Sequence, residues 1–118
     1  MAWDDKENFD IPDDLMKGIK EELCWDGPSR IQSVAIPMIV KISEETKDFD
    51  NMIAQAKNGP GKTGAFVIGS LLRVDTSIDK LQVIVIGHTR ELVNQTSEVY
   101  VKATKYAPAY RICNLMQD

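Results

Sequence analysis

Residues that would commit this chain to metal or disulfide chemistry are scarce: it has two cysteines, Cys24 and Cys113, and a single histidine, His88. The cysteines are far apart and form no Cys-x-x-Cys pair, which excludes a redox motif and a zinc ribbon; a lone histidine beside no cysteine or acidic cluster is a structural residue rather than a ligand. Magnesium carried by a nucleotide is the one metal this composition leaves room for. Long apolar runs are also missing. Val83-Ile84-Val85-Ile86 is far too short to span a bilayer, and the opening Met1-Ala2-Trp3-Asp4-Asp5-Lys6 lacks the basic and apolar regions of a signal peptide. A cytoplasmic or nuclear location with no membrane insertion is therefore expected. Basic excess is absent too: the net charge of −4 argues against a broad basic surface for nucleic acid, while leaving room for a few local phosphate contacts.

What is present is enough apolar content, 43% of 118 residues, for the core of one domain. Leu15, Ile19 and Leu23 are spaced as one face of a helix over 13–23, with Asp13 and Asp14 suited to its N-terminus and Gly27-Pro28 stopping the chain beyond it. Pro28-Ser29 opens a second helix, whose apolar face runs through Ile31, Ala35, Met38, Ile39 and Ile42 before a charged loop from Ser43 to Asp50. Met52-Ile53-Ala54 reads as a short strand, Lys62 to Arg73 as a helix, Gln82 to Gly87 as a buried strand, Glu91 to Tyr106 as a helix, and Tyr110 to Leu115 as a third strand. This strand and helix alternation predicts an α/β three-layer sandwich with a parallel sheet and right-handed crossovers.

The turn between the first strand and its helix carries the chemistry. In Ala56-Lys57-Asn58-Gly59-Pro60-Gly61-Lys62-Thr63, backbone N–H groups from Gly59 to Thr63 can converge on a phosphate at a helix N-terminus. Lys62 can bridge β- and γ-phosphates, and Thr63 offers a hydroxyl to Mg²⁺. Glycines at positions 59 and 61 permit close backbone approach, whereas Pro60 removes one N–H and fixes φ near −65°.

The same stretch resembles motif I of the DEAD-box RNA helicases, A-x-x-G-x-G-K-[ST], which accounts for alanine at position 56. His88-Thr89-Arg90-Glu91-Leu92-Val93-Asn94-Gln95 resembles motif Ia, with His88 in place of the usual proline, and Pro28-Ser29-Arg30-Ile31-Gln32 resembles the Q motif. Three motifs in family order over Cys24 to Gln95 imply the N-terminal portion, residues 1–118, of a first RecA-like P-loop domain. The resemblance implies an ATP site built from Ser29, Gln32 and Ala56 to Thr63, with Lys62 and Thr63 in catalytic roles. The Gln32 amide, which can donate and accept, suits the N6/N7 edge of adenine. It further implies an aromatic stacked on the base, for which Phe9 and Trp3 are candidates, and RNA-backbone contacts from Thr89 and Arg90.

The charged stretch before Asn51 and the segment Phe66 to Asp75 resemble the mRNA-export helicases. Cys24-Trp25 and Ala56-Lys57-Asn58-Gly59 resemble relatives acting in mRNA decay and translational repression. Export is favoured. The motifs Asp-Glu-Ala-Asp and Ser-Ala-Thr and a second RecA-like domain do not occur in these residues. Hydrolysis is thus expected of a full-length ATP-dependent helicase acting on RNA with its second domain and protein activators, and not of these residues alone. The alternative is a non-catalytic nucleotide-sensing or partner-binding module derived from a helicase half.

Overall fold

Capping and breaking residues set the helix boundaries in the computed structural model, which describes residues 2–56 and 61–116. The helices are α1 (Asp13–Lys17), continued by a π-helical turn (Gly18–Glu22), α2 (Arg30–Val40), α3 (Gly61–Arg73) and α4 (Arg90–Ala103). The chain divides into two compact units, one formed by Met1–Ile11 and Asp26–Arg73, the other by Pro12–Trp25 and Val74–Asp118.

In the first unit α2 packs on α3. Ala35 and Ile36 of α2 and Ala65, Val67, Ile68 and Leu71 of α3 are buried, as expected of helices with one apolar stripe each. Gly69 makes the close approach possible, because a Cβ there would lie 2.7 Å from Ile39 Cδ1. Pro37 sits inside α2 and cannot donate to the preceding turn; the helix ends at Val40, where Lys41 is extended. The charged loop that follows is closed by an antiparallel bridge between Ile42 and Phe49. Arg73, at the end of α3, holds this corner. Its Nε donates to the Ile39 carbonyl at 2.6 Å, one of the last-turn carbonyls that a helix leaves unpaired, and its guanidinium lies 4.1 Å from the centre of the Phe49 ring.

In the second unit α1 and the π-helical turn pack on α4, burying Leu15, Ile19, Tyr100 and Ala103. Thus the helix expected over 13–23 is α-helical only to Lys17, and Leu23 N–H then bonds to the Gly18 carbonyl, a five-residue step. Gly18 faces the end of α4 so closely that a Cβ would overlap the Ala103 carbonyl. Beside it, Glu22 pairs with Lys105 and accepts from the Tyr106 hydroxyl at 3.3 Å, and Lys17 Nζ lies 4.3 Å from the centre of the Tyr106 ring. The hydrogen bond from Lys105 holds the Glu22 carboxyl below its ordinary value, so this contribution is present at neutral pH and is lost as pH falls through the carboxylate range.

The three expected strands are corrected by the structure: 52–54, 82–87 and 110–115 carry no strand, and the described residues contain no sheet ladder. A strand is defined by its partner as well as by its side chains, and these runs have none. Several of their apolar residues consequently face solvent, with Ile53 99%, Ile84 73% and Ile86 90% exposed.

Gly18→Ala should destabilise the second unit by about 1–3 kcal/mol, the usual cost of an extra methyl in a tight contact. A urea midpoint followed through the near-ultraviolet signal of Tyr100 and Tyr106 would check this, and an unchanged midpoint would contradict the contact with Ala103.

Candidate functional site

Ser29 precedes α2 in extended conformation, and the spacing Ser-x-x-Gln forms a capping box. Gln32 N–H donates to Ser29 Oγ at 3.3 Å, and Ser29 N–H donates to Gln32 Oε1 at 2.8 Å. The other end of the Gln32 amide reaches across the unit: Nε2 donates to the carbonyl of Gly61, the first residue of α3, at 3.3 Å. The side chain is buried with both ends of its amide satisfied, which fixes its orientation. Gly61 is held in the same corner, for a Cβ there would lie 2.5 Å from Ser29 Oγ and 2.7 Å from Ile31 Cγ2. Ile31, expected from the sequence only as part of the apolar face of this helix, is also a buttress of the corner. The capping box itself could have been read from the Ser29 to Gln32 spacing.

Lys62 Nζ donates to the Ala56 carbonyl at 2.7 Å. Thr63 lies half-buried in the first turn of α3. Ser29, Gln32, Ala56, Gly61, Lys62 and Thr63 therefore occur together in the first unit. Lys57, Asn58, Gly59 and Pro60 lie outside the described residues. This donor set fits a polyphosphate with a hard cation: one ammonium, one hydroxyl, and the first-turn N–H groups of α3, which have no intrahelical acceptors. Among the described residues there is no group of three His, Cys, Asp or Glu able to cage a metal alone.

The aromatic candidates stand differently. Trp3 and Phe9 are 0% and 1% exposed, with ring centroids 5.5 Å apart, so in this structure both rings belong to the core and neither presents a face to a base.

Thr89 and Arg90 lie in the second unit, at the start of α4. Thr89 is the N-cap, its Oγ1 accepting from Leu92 N–H at 3.0 Å. The cap uses the oxygen as acceptor and leaves the hydroxyl proton able to donate to an anion. Arg90 follows in the exposed first turn.

Residues 29–118 match the family model described as DEAD/DEAH box helicase. The chain belongs to this family. Among its DEAD-box relatives, DEAD-box ATP-dependent RNA helicase 38 of Arabidopsis thaliana is 42% identical over 100 residues, covering 85% of this chain and 19% of that protein. ATP-dependent RNA helicase me31b of Drosophila melanogaster is 41% identical over 100 residues, covering 85% and 20%. Dbp5 L327V of S. cerevisiae bound to RNA and ADP BeF3 superposes with a TM-score of 0.77 at 33% identity, covering 90% of this chain and 25% of that one. The chain thus spans about a fifth of the length of the curated helicases it matches. Its structural neighbours are RecA-like helicase domains.

Ser29→Ala should cost about 1 kcal/mol, the usual value of an N-cap, whereas Gln32→Glu keeps the capping-box acceptor but loses the donor to the Gly61 carbonyl and buries a carboxylate beside it, and should cost more. Denaturant midpoints of the two variants give the comparison; equal losses would contradict it.

Proposed function

We propose that residues 1–118 are the N-terminal part of the first RecA-like domain of an ATP-dependent RNA helicase, and that the first unit holds adenosine nucleotide with Mg²⁺. The observation that carries this reading is the convergence of Gln32, Gly61 and Lys62, from two separate motifs, on one corner of that unit. Lys62 leaves the Ala56 carbonyl to neutralise the phosphates, and Thr63 offers its hydroxyl to the metal. Gln32 selects adenine, whose N6/N7 edge complements an amide. When bound, ATP with Mg²⁺ supplies the phosphoryl group whose hydrolysis powers the cycle. Thr89 and Arg90 hold the RNA backbone without reading its sequence.

The exposed runs at 52–54, 82–87 and 110–115 become strands of a parallel sheet at the centre of a three-layer sandwich when further strands pair with them. Their apolar composition supports this. In the whole protein, a second RecA-like domain and protein activators complete an ATP hydrolase that remodels RNA or RNA–protein complexes. The charged loop before Asn51 and the segment Phe66 to Asp75 support a role in mRNA export, in the nucleus and cytoplasm. No described helix is long and apolar enough to cross a membrane.

Lys62→Ala should weaken Mg-ADP binding at least about tenfold, since a hydrogen bond to a charged group is worth about 1.5–3 kcal/mol. Calorimetric titration of the parent protein and the variant is the test; an unchanged affinity would sink the assignment of this loop.

A further inference from the structure

Helix α3 carries two basic residues, Lys62 in its first turn and Arg73 at its end, and each holds a backbone carbonyl of the same short segment. Lys62 Nζ donates to the carbonyl of Ala56 at 2.7 Å, and Arg73 Nη2 donates to the carbonyl of Asp50 at 3.4 Å. The lengths agree. Lys62 and Arg73 are about 16 Å apart along the axis at about 1.5 Å per residue, and the chain from Asp50 to Ala56 reaches about 20 Å when extended at about 3.3 Å per residue. Residues 51–56, which form no helix or turn, thus run back along α3 in the opposite sense, gripped at both ends. The two grips differ in what else holds them. Lys62 is the group assigned to phosphate, whereas Arg73 stands at the far end of the helix, its Nε on the Ile39 carbonyl at 2.6 Å and its guanidinium 4.1 Å from the centre of the Phe49 ring. A planar fork with several donors lets one side chain serve the end of α2, the charged loop and the segment at once.

We infer that Arg73 is a positioning residue for the nucleotide site, an inference that rests on the assignment of Lys62 to phosphate. When Lys62 exchanges the Ala56 carbonyl for phosphate oxygens, one end of the segment is released and Arg73 is the grip that stays. It keeps the chain ahead of Lys62 in the place that the free site already has, so that little has to be ordered on binding. Without Arg73, residues 50–56 lose both grips as the nucleotide arrives, and the entropy of ordering them is subtracted from the affinity. Phe49 acts in the same chain of contacts, because its ring faces the guanidinium and its antiparallel bridge to Ile42 sets where Asp50 begins. Asp50 and Ala56 flank the run 52–54 rather than belong to it. Pairing of that run in a sheet therefore keeps the segment extended and requires neither grip to be given up.

The test is calorimetric titration of the full 118-residue chain with Mg-ADP, at a temperature where circular dichroism shows every variant folded. Arg73→Ala should weaken binding by between about twofold and thirtyfold, the range of couplings carried through packed elements. Phe49→Leu should weaken it in the same direction, and the double variant should bind no more weakly than Arg73→Ala alone, because both act through one contact. Val67→Ala, which truncates a fully buried side chain of the same helix, should lower the urea midpoint and leave Mg-ADP affinity unchanged. Should Arg73→Ala not fold, Phe49→Leu against Val67→Ala makes the same comparison. If Lys62→Ala weakens binding while Arg73→Ala and Phe49→Leu do not, the nucleotide reading stands and the positioning role is overturned. Equal weakening by Val67→Ala would trace the effect to lost stability and overturn that role as well. No loss of affinity in Lys62→Ala would overturn the nucleotide reading itself, and the positioning role with it.

Discussion

One side-chain amide fixes the corner on which the nucleotide assignment depends. Gln32 is 4% exposed, and an amide buried without partners would cost about 1–3 kcal/mol for each group left unpaired. Here the acceptor end takes the N–H of Ser29 and the donor end reaches the Gly61 carbonyl, so the start of α2 and the start of α3 are tied by one rigid group. The absence of a Cβ at Gly61 lets Ser29 and Ile31 close against the same point. Nearby in the chain, Lys62 is bonded to the Ala56 carbonyl. The two side chains assigned to base and phosphate are thus both satisfied by the protein itself, and nucleotide binding requires them to exchange backbone carbonyls for ligand atoms.

Much of this was legible in the sequence because it is local. Ser29 as a helix start and the end of α3 at Arg73 follow from capping preference and apolar spacing, which operate within a few residues, while the helix expected over Glu91 to Tyr106 runs from Arg90 to Ala103. The motif resemblance singled out Gln32 and Lys62, which the structure brings into one unit, and Thr89 and Arg90, which it places at the start of α4 in the other. The contacts that depend on distant partners were not legible. Nothing in the spacing shows that Arg73 would seek the Ile39 carbonyl and the Phe49 ring, or that Asn94 would pair with Asn114. Phe9 and Trp3 illustrate the same limit: an aromatic suited to stack on a base is equally suited to a core, and burial is decided by the whole fold.

The apolar runs make the point most sharply. Val83 to Ile86 has the composition of a buried parallel strand, yet β pairing is non-local and each strand needs another to complete its backbone hydrogen bonds. Without a ladder, Ile84 and Ile86 are left in solvent, a cost that sheet partners would remove. Helices complete their own hydrogen bonds, which is why they are the elements that sequence and structure share here.

Gln32 and Lys62 together are proposed to make an adenine-selective phosphate site. Titration calorimetry of the chain with Mg-ADP and with Mg-GDP tests it most directly, with circular dichroism confirming a folded sample. The adenine nucleotide should bind at least about tenfold tighter than the guanine nucleotide, as expected when a buried amide is left mispaired by the wrong base. Equal affinities, or tighter binding of Mg-GDP, would contradict it.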